Sequence, residues 1–222
     1  VAPTNSGDIR ILRNNGNGTF AAPVTVSFSG TIFSASSVTL GDFDGDGDLD
    51  AAATVGFGVG TVAILTNDGA GNFSASASFA TNSNSGSSDA EAADIDADGD
   101  LDLLVSKNFL QSDIVVLRNN GSGSFSNIGT VTVGGAPTSV TTGDVTGDGN
   151  LDIVAGIAGG ISVAAGNGDG TFVTPASFSG PAFFQDANDV GIADFDNDGD
   201  NDIVNIAFSS RLELYVNDGT GR

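Results

Sequence analysis

Four copies of one nine-residue acidic loop recur along the chain, and their first residues lie 52, 50 and 50 positions apart. They read Asp42-Phe-Asp-Gly-Asp-Gly-Asp-Leu-Asp50, Asp94-Ile-Asp-Ala-Asp-Gly-Asp-Leu-Asp102, Asp144-Val-Thr-Gly-Asp-Gly-Asn-Leu-Asp152 and Asp194-Phe-Asp-Asn-Asp-Gly-Asp-Asn-Asp202. A period near fifty residues restricts a chain to architectures built from like units, each burying one face on the next. Oxygen-bearing side chains at alternate positions, followed by a glycine, make a cage for a hard cation.

Positions one, three, five and nine offer side-chain oxygens and position seven a backbone carbonyl. The first loop assigns Asp42, Asp44, Asp46 and Asp50 with the Asp48 carbonyl. The second assigns Asp94, Asp96, Asp98 and Asp102 with the Asp100 carbonyl. The third assigns Asp144, Thr146, Asp148 and Asp152 with the Asn150 carbonyl, and the fourth Asp194, Asp196, Asp198 and Asp202 with the Asp200 carbonyl. Glycine at position six permits the turn that wraps backbone around an ion. Carboxylates about 5 Å apart repel by roughly 3 kcal/mol per pair at an effective dielectric near 20, so loops without a cation are expected to fray. Calcium suits such a cage better than magnesium, which retains its waters. The third loop has one carboxylate fewer and is expected to bind most weakly. In the fourth, Asn201 stands where the others carry Leu, which weakens its apolar anchor. An EF-hand needs Glu at position twelve and flanking helices; here position twelve is Ala53, Val105, Ala155 and Asn205, followed by β-prone sequence.

Formal net charge is −22, and 26 of the 28 acidic residues are Asp. Four divalent cations would remove eight charges and still leave −14, so nucleic acid and anionic membranes, which call for basic patches, are poor partners and neither nucleic-acid binding nor membrane insertion is expected. Cys and His are absent, which excludes thiol and imidazole catalysis and the usual zinc sites. Only Glu91 and Glu213 lie outside the Asp set and no nucleophile–base pair is visible, so no enzyme is expected. No apolar run is long enough to span a membrane. The chain shows neither an initiator Met nor a signal peptide, and is expected to be a mature product or an excised segment.

A second repeat runs out of phase with the first: a β-prone stretch, then Asn or Asp, then Gly-x-Gly. It occurs as Ile9–Leu12 before Asn15-Gly16, Val62–Leu65 before Asp68-Gly69, Ile114–Leu117 before Asn120-Gly121, Ile161–Ala164 before Asn167-Gly168, and Leu212–Val216 before Asp218-Gly219. Such dipeptides between β-prone runs mark hairpins. Phe20, Phe73, Phe125 and Phe172 open the strand after four of the five turns. Each unit thus reads as four short strands, for example Ser37–Gly41, Ala51–Val55, Thr61–Thr66 and Phe73–Phe79, with connectors such as Thr81–Ser88. Four antiparallel strands per 40–50 residues describe a β-propeller blade. Small residues before the loops (Gly41, Ala93, Gly143, Ala193) suit innermost strands crowded around an axis. The expected units are 1–28 with the last two strands of a blade, whole blades at 29–80, 81–133 and 134–178, and three strands in 179–222. The count leaves three outcomes: an irregularly closed ring, an arc of a larger propeller, or open edges that pair with another copy.

Taken together, the chain resembles the FG-GAP (VCBS-type) repeats of the integrin α-subunit propeller and of related bacterial and fungal extracellular proteins. The family's Asp-x-Asp-x-Asp-Gly-x-x-Asp pattern matches Asp42–Asp50, Asp94–Asp102 and Asp194–Asp202 at every ligand, and Asp144–Asp152 departs at Thr146. The resemblance covers essentially the whole chain. It implies calcium, an extracellular setting and a propeller of typically seven blades, more than this length provides. The function expected is a calcium-stabilised adhesion or scaffold module, with extracellular protein partners or self-association. The alternative is a calcium-dependent lectin binding glycans, against which stand the absence of Trp and a lone Tyr215. Three Asn-x-Ser/Thr sequons, at Asn17, Asn72 and Asn120, sit at or beside the glycine turns, where the same residues also serve the turn.

Overall fold

The computed structural model describes residues 2–3, 8–27, 35–55, 60–81, 86–107, 111–179, 187–207 and 211–219. Every element among them is a β-strand, and each sheet is an antiparallel meander in chain order. The first sheet holds β1 (Ala2–Pro3), β2 (Asp8–Ile11) and β3 (Val24–Ser27). The second holds β4 (Ala35–Gly41), β5 (Asp50–Val55), β6 (Thr61–Asn67) and β7 (Phe73–Ala80). The third holds β8 (Ser87–Ala93), β9 (Asp102–Lys107), β10 (Asp113–Asn119) and β11 (Phe125–Thr132). The fourth holds β12 (Pro137–Gly143), β13 (Asp152–Ile157), β14 (Gly160–Ala164) and β15 (Ala176–Ser179). The fifth holds β16 (Ala187–Ala193), β17 (Asp202–Ala207) and β18 (Arg211–Tyr215). The first sheet has one strand more than the sequence suggested, because Ala2 and Pro3 pair with Arg10 and Ile9. Half of the Thr81–Ser88 connector (82–85) and the boundary at 28–29 lie outside the described residues.

The sheets are propeller blades, each packed on the next, and among the described residues they do not close into a ring. Each blade turns one apolar face forward, toward the next blade, and the opposite face back. Between the second and third blades, Phe43, Val62 and Ile64 meet Leu103, Leu117 and Phe125. The Phe125 ring stands edge-on to Phe43 at 5.7 Å and to Phe79 at 5.4 Å, a favoured aromatic geometry. Between the third and fourth, Leu104, Ile114 and Val116 meet Ile153, Ala155 and Ala164. Each buried Leu, Ile or Phe here contributes about 1.5–3 kcal/mol. Position two of the acidic loop belongs to the forward face. Phe43, Ile95 and Val145 are 0, 4 and 7% exposed, whereas Phe195, with no blade after it among the described residues, is 48% exposed.

The first strands β4, β8, β12 and β16 run side by side along the inner rim. Ser37 Oγ donates to Asp89 Oδ1 (2.7 Å), and Val140 N donates to Asp89 Oδ2 (3.1 Å), so Asp89 ties three blades. The small residues before the acidic loops are crowded by the next blade: a Cβ on Gly143 would lie 3.0 Å from Ile192 Cδ1 on the neighbouring inner strand β16. A Cβ on Gly41 would lie 2.7 Å from Leu101 Cδ1, so it is the next blade's leucine that crowds this position.

Glu91, on β8, is the one glutamate of the inner rim. Burial pushes its carboxyl up to about 7, with the Asp89 charge adding to the effect. The folded chain therefore holds a proton there that the unfolded chain releases near pH 4.5, so this group's contribution favours folding below pH 4.5 and is lost as pH rises through 7. Glu91→Gln is expected to raise the melting temperature relative to the parent at pH 8 and to leave it unchanged at pH 4; an equal effect at both pH values would refute the assignment.

Candidate metal centres in the acidic loops

Each acidic loop is the hairpin connection between a blade's first two strands. Position nine pairs with the residue preceding position one: Asp50 with Gly41, Asp102 with Ala93, Asp152 with Gly143 and Asp202 with Ala193. The position-one carboxylate organises the turn by accepting backbone N–H groups on both oxygens. Asp42 takes Gly45 N (2.8 Å) and Gly47 N (2.9 Å), and Asp194 takes Asn197 N (2.6 Å) and Gly199 N (3.1 Å). Asp144 takes Gly147 N and Gly149 N in the same manner, and Asp94 takes Asp98 N (3.1 Å) and Gly99 N (3.0 Å).

This geometry requires a left-handed residue at position four as well as six, a demand the sequence reading missed. Position four is Gly45 (φ +76°), Ala97 (+58°), Gly147 (+74°) and Asn197 (+63°). An alanine there costs about 1–2 kcal/mol, partly offset by the greater freedom of glycine in the unfolded chain. Ala97→Gly is expected to stabilise the chain by about 0.5 kcal/mol, roughly 1–2 °C in melting temperature. A fall in melting temperature would contradict the strain.

Position nine is the fixed point of the site. Asp50, Asp102, Asp152 and Asp202 are all fully buried. One oxygen of each accepts the N–H of position two, from Phe43 (3.1 Å), Ile95 (3.4 Å), Val145 (2.8 Å) or Phe195 (2.9 Å). The other accepts an N–H from the end of the third strand, from Asn67 (2.8 Å), Asn119 (2.7 Å), Gly166 (2.9 Å) or Asn217 (2.8 Å). Burial raises the Asp50 carboxyl above its usual range and pushes that of Asp102 up to about 6; the neighbouring loop carboxylates add to both, against the donated N–H bonds.

Positions one, three and nine come together. In Asp42/Asp44/Asp50, Asp94/Asp96/Asp102 and Asp194/Asp196/Asp202, one oxygen from each residue lies within 4.8 Å of the others. Asp44 Oδ1 and Asp96 Oδ1 are buried with no hydrogen-bond partner, while Asp96 Oδ2 pairs with Arg118 Nε at 2.9 Å. An all-oxygen donor set with an unsatisfied buried acceptor fits a hard cation. In the third loop Asp144 and Asp152 keep their places, but Thr146 Oγ1 lies 3.5 Å from Asp152 Oδ1 in place of a third carboxylate. The position-five carboxylates stand outside these groups: Asp46, Asp98, Asp148 and Asp198 each accept the N–H of position seven, at 2.9–3.0 Å. The position-seven side chain sits under the glycine turn of its own blade. A Cβ on Gly121, itself at φ +73°, would lie 2.4 Å from Asp100 Oδ2, and Gly69, Gly168 and Gly219 stand likewise over Asp48, Asn150 and Asp200.

Two asparagines at or just after the ends of third strands, to which the sequence analysis gave no role, join site to site. Asn119 Nδ2 donates to Leu101 O of its own loop (3.1 Å) and to Phe43 O of the previous blade's loop (2.9 Å). Asn217 Nδ2 repeats this with Asn201 O (3.1 Å) and Val145 O (2.9 Å). The signal was an Asn two residues before four of the five turn glycines (Asn14, Asn67, Asn119 and Asn217), with Gly166 in that place in the fourth blade. Asn201 also differs from expectation: its Nδ2 donates to Asp144 O at 2.8 Å, so a polar contact to the previous blade replaces the leucine. The sequon asparagines serve their turns. Asn17 and Asn120 accept from Thr19 and Ser122, and Asn72 bonds Arg13 (2.6 Å) and Asp68 (2.7 Å).

Blades of four antiparallel strands, with a carboxylate-lined hairpin loop between strands one and two, define a propeller-repeat protein. The profile of the FG-GAP-like repeat matches residues 1–53, 54–105, 109–155 and 144–205, and the chain belongs to that family. No curated protein matches it by sequence. Among solved structures it is similar to an Agrocybe aegerita lectin described as recognising non-reducing terminal N-acetylglucosamine, with TM-score 0.63 and 23% identity, covering 96% of this chain and 58% of the lectin. It is also similar to a Lactobacillus plantarum protein, with TM-score 0.61 and 17% identity, covering 95% of this chain and 64% of that one. These likenesses concern the fold, and the chain spans about three fifths of each protein's length.

Proposed function

We propose that the chain is a calcium-stabilised propeller module acting outside the cell in adhesion or as a scaffold, through protein contacts or self-association at blade faces and edges, with no catalytic role. The observation carrying this reading is the triad of converging carboxylates, with Asp44 Oδ1 and Asp96 Oδ1 buried and unpartnered. A cation bound there would bridge the loop to the buried position-nine Asp, which already holds the end of the third strand. Loops of this ligand type in extracellular modules fill at millimolar calcium, and related repeats occur in extracellular proteins. Among the described residues no helix is long and apolar enough to cross a membrane. Calorimetric titration tests the reading. Three calcium ions are expected to bind with comparable affinity and a fourth, in the Thr146 loop, more weakly, with Asp94→Ala removing one ion. Absence of binding at millimolar calcium would sink it.

A second reading, calcium-dependent carbohydrate binding, is favoured by the lectin among the fold's structural neighbours. Tyr215, the chain's single tyrosine, donates its hydroxyl to Glu213 Oε2 (3.1 Å) and borders the cleft between the fourth and fifth blades. A glycan array with and without calcium separates the readings: retention on a defined sugar, lost on chelation, would promote the lectin.

A further inference from the structure

The second acidic loop differs from its copies in carrying a basic side chain against its cage. Arg118 lies near the end of β10, three residues before the turn glycine Gly121. Its Nε stands 2.9 Å from Oδ2 of Asp96, the position-three carboxylate, although the N–H is not aligned on that oxygen. Among the described residues no other loop carboxylate has a basic group within 4 Å. The same register holds Thr66 in the second blade, Ala165 in the fourth and Val216 in the fifth, all uncharged. The next blade holds the guanidinium in place. Nη2 donates to Asp169 O (2.8 Å) in the glycine turn of the fourth blade, and Gly170 N donates to Ile95 O (3.2 Å), beside Asp96. A Cβ on Gly170 would lie 2.6 Å from Arg118 Nη2 and 3.6 Å from Asp96 Cβ, so the bare glycine leaves room for the pair. Asp96 Oδ1 is buried and unpartnered. The arginine thus takes one oxygen and leaves the other for a cation.

We infer that Arg118 is a resident counter-ion of the second loop: it keeps three carboxylates together when no divalent ion is bound and lowers that loop's affinity for calcium. The inference rests on the metal reading above. Asp94, Asp96 and Asp102 bring one oxygen each within 4.8 Å, a formal charge of −3. A guanidinium at contact distance is attracted strongly there, because the Asp96 side chain is only 10% exposed and water screens the pair poorly. A calcium ion in the cage would leave −1, so the same guanidinium gains much less beside the filled loop. Whatever Arg118 contributes to the empty loop beyond the filled one is subtracted from calcium affinity by linkage. The first and fourth loops meet the same repulsion with no basic partner. A difference of about fivefold, equivalent to ~1 kcal/mol, keeps the second site comparable with those two.

Arg118→Gln removes the charge, and calorimetric melting in chelator and in saturating calcium reads its role. The variant is expected to melt about 2–4 °C below the parent in chelator and within ~1 °C of it in calcium. Calcium titration is expected to show one site tightened about fivefold, the same difference read as affinity. Arg118→Lys, which keeps the charge, is expected to restore the melting temperature in chelator. In an Asp96→Asn background, Arg118→Gln is expected to lose most of its effect. An equal loss in both media would show a strut to Asp169 O and overturn the proposal. No loss in chelator, a loss undiminished by Asp96→Asn, or an unchanged calcium affinity would overturn it as well. Titration of the parent keeps the two readings apart. Calcium bound with equal losses defeats the counter-ion alone, whereas no calcium bound at millimolar concentration defeats the ion-stabilised module and the counter-ion with it.

Discussion

Chelation of divalent cations is expected to lower the melting temperature by 10 °C or more relative to saturating calcium. A ligand that binds only the folded state stabilises it by about 2.7 kcal/mol at a hundred times its dissociation constant. Two such loops acting independently contribute about 5 kcal/mol, roughly 10–20 °C for a domain of 150–250 residues. The effect has an electrostatic basis in the chain itself: each triad packs three carboxylates within 4.8 Å of one another, and the first two strands of a blade meet at that loop. Restoring calcium should recover the transition, and magnesium at the same concentration should recover less of it. Scanning calorimetry checks the result; a melting temperature indifferent to chelator would remove calcium from the account of stability.

Asp152→Ala is expected to cost about 3 kcal/mol, equivalent to roughly 6–12 °C, and to cost it with or without calcium. Asp152 is fully buried and accepts Val145 N (2.8 Å), Thr146 N (2.9 Å) and Gly166 N (2.9 Å). Its removal leaves three donors facing one another across a loop, a strand end and a blade interface. Buried donors left without partners each cost about 1–3 kcal/mol, and relaxation of the loop toward water recovers part of that. The third loop is the right place for the test because its cage is the weakest, so the hydrogen-bond contribution is least confounded with ion binding. Chemical denaturation of the variant in chelator isolates it. A loss below 0.5 kcal/mol would show that the position-nine carboxylate is not the tie between loop and third strand.

Much of this architecture could be read from residue types alone, because period, loop and turn all carry backbone demands that few residues meet. Strands read as Thr61–Thr66 and Phe73–Phe79 are Thr61–Asn67 and Phe73–Ala80. The turn glycines that follow Asn or Asp have positive φ wherever they are described, from Gly16 to Gly219. What could not be read were relations between blades. Nothing in the string ties Asn119 to Phe43 O, 76 residues away, or identifies Leu101 as what crowds Gly41. Position five carries a further duty that residue type does not reveal: Asp46 and Asp98 each accept the N–H of position seven through Oδ1. The alternation of carboxylates is shared by cage and turn, so sequence alone does not divide the two duties.

Every blade contact in this molecule joins unlike surfaces, the forward face of one unit on the rear face of its successor, so the array has polarity. Each of the four internal contacts therefore has the same sense, and a substitution at one register position meets a different neighbour on each side of its blade.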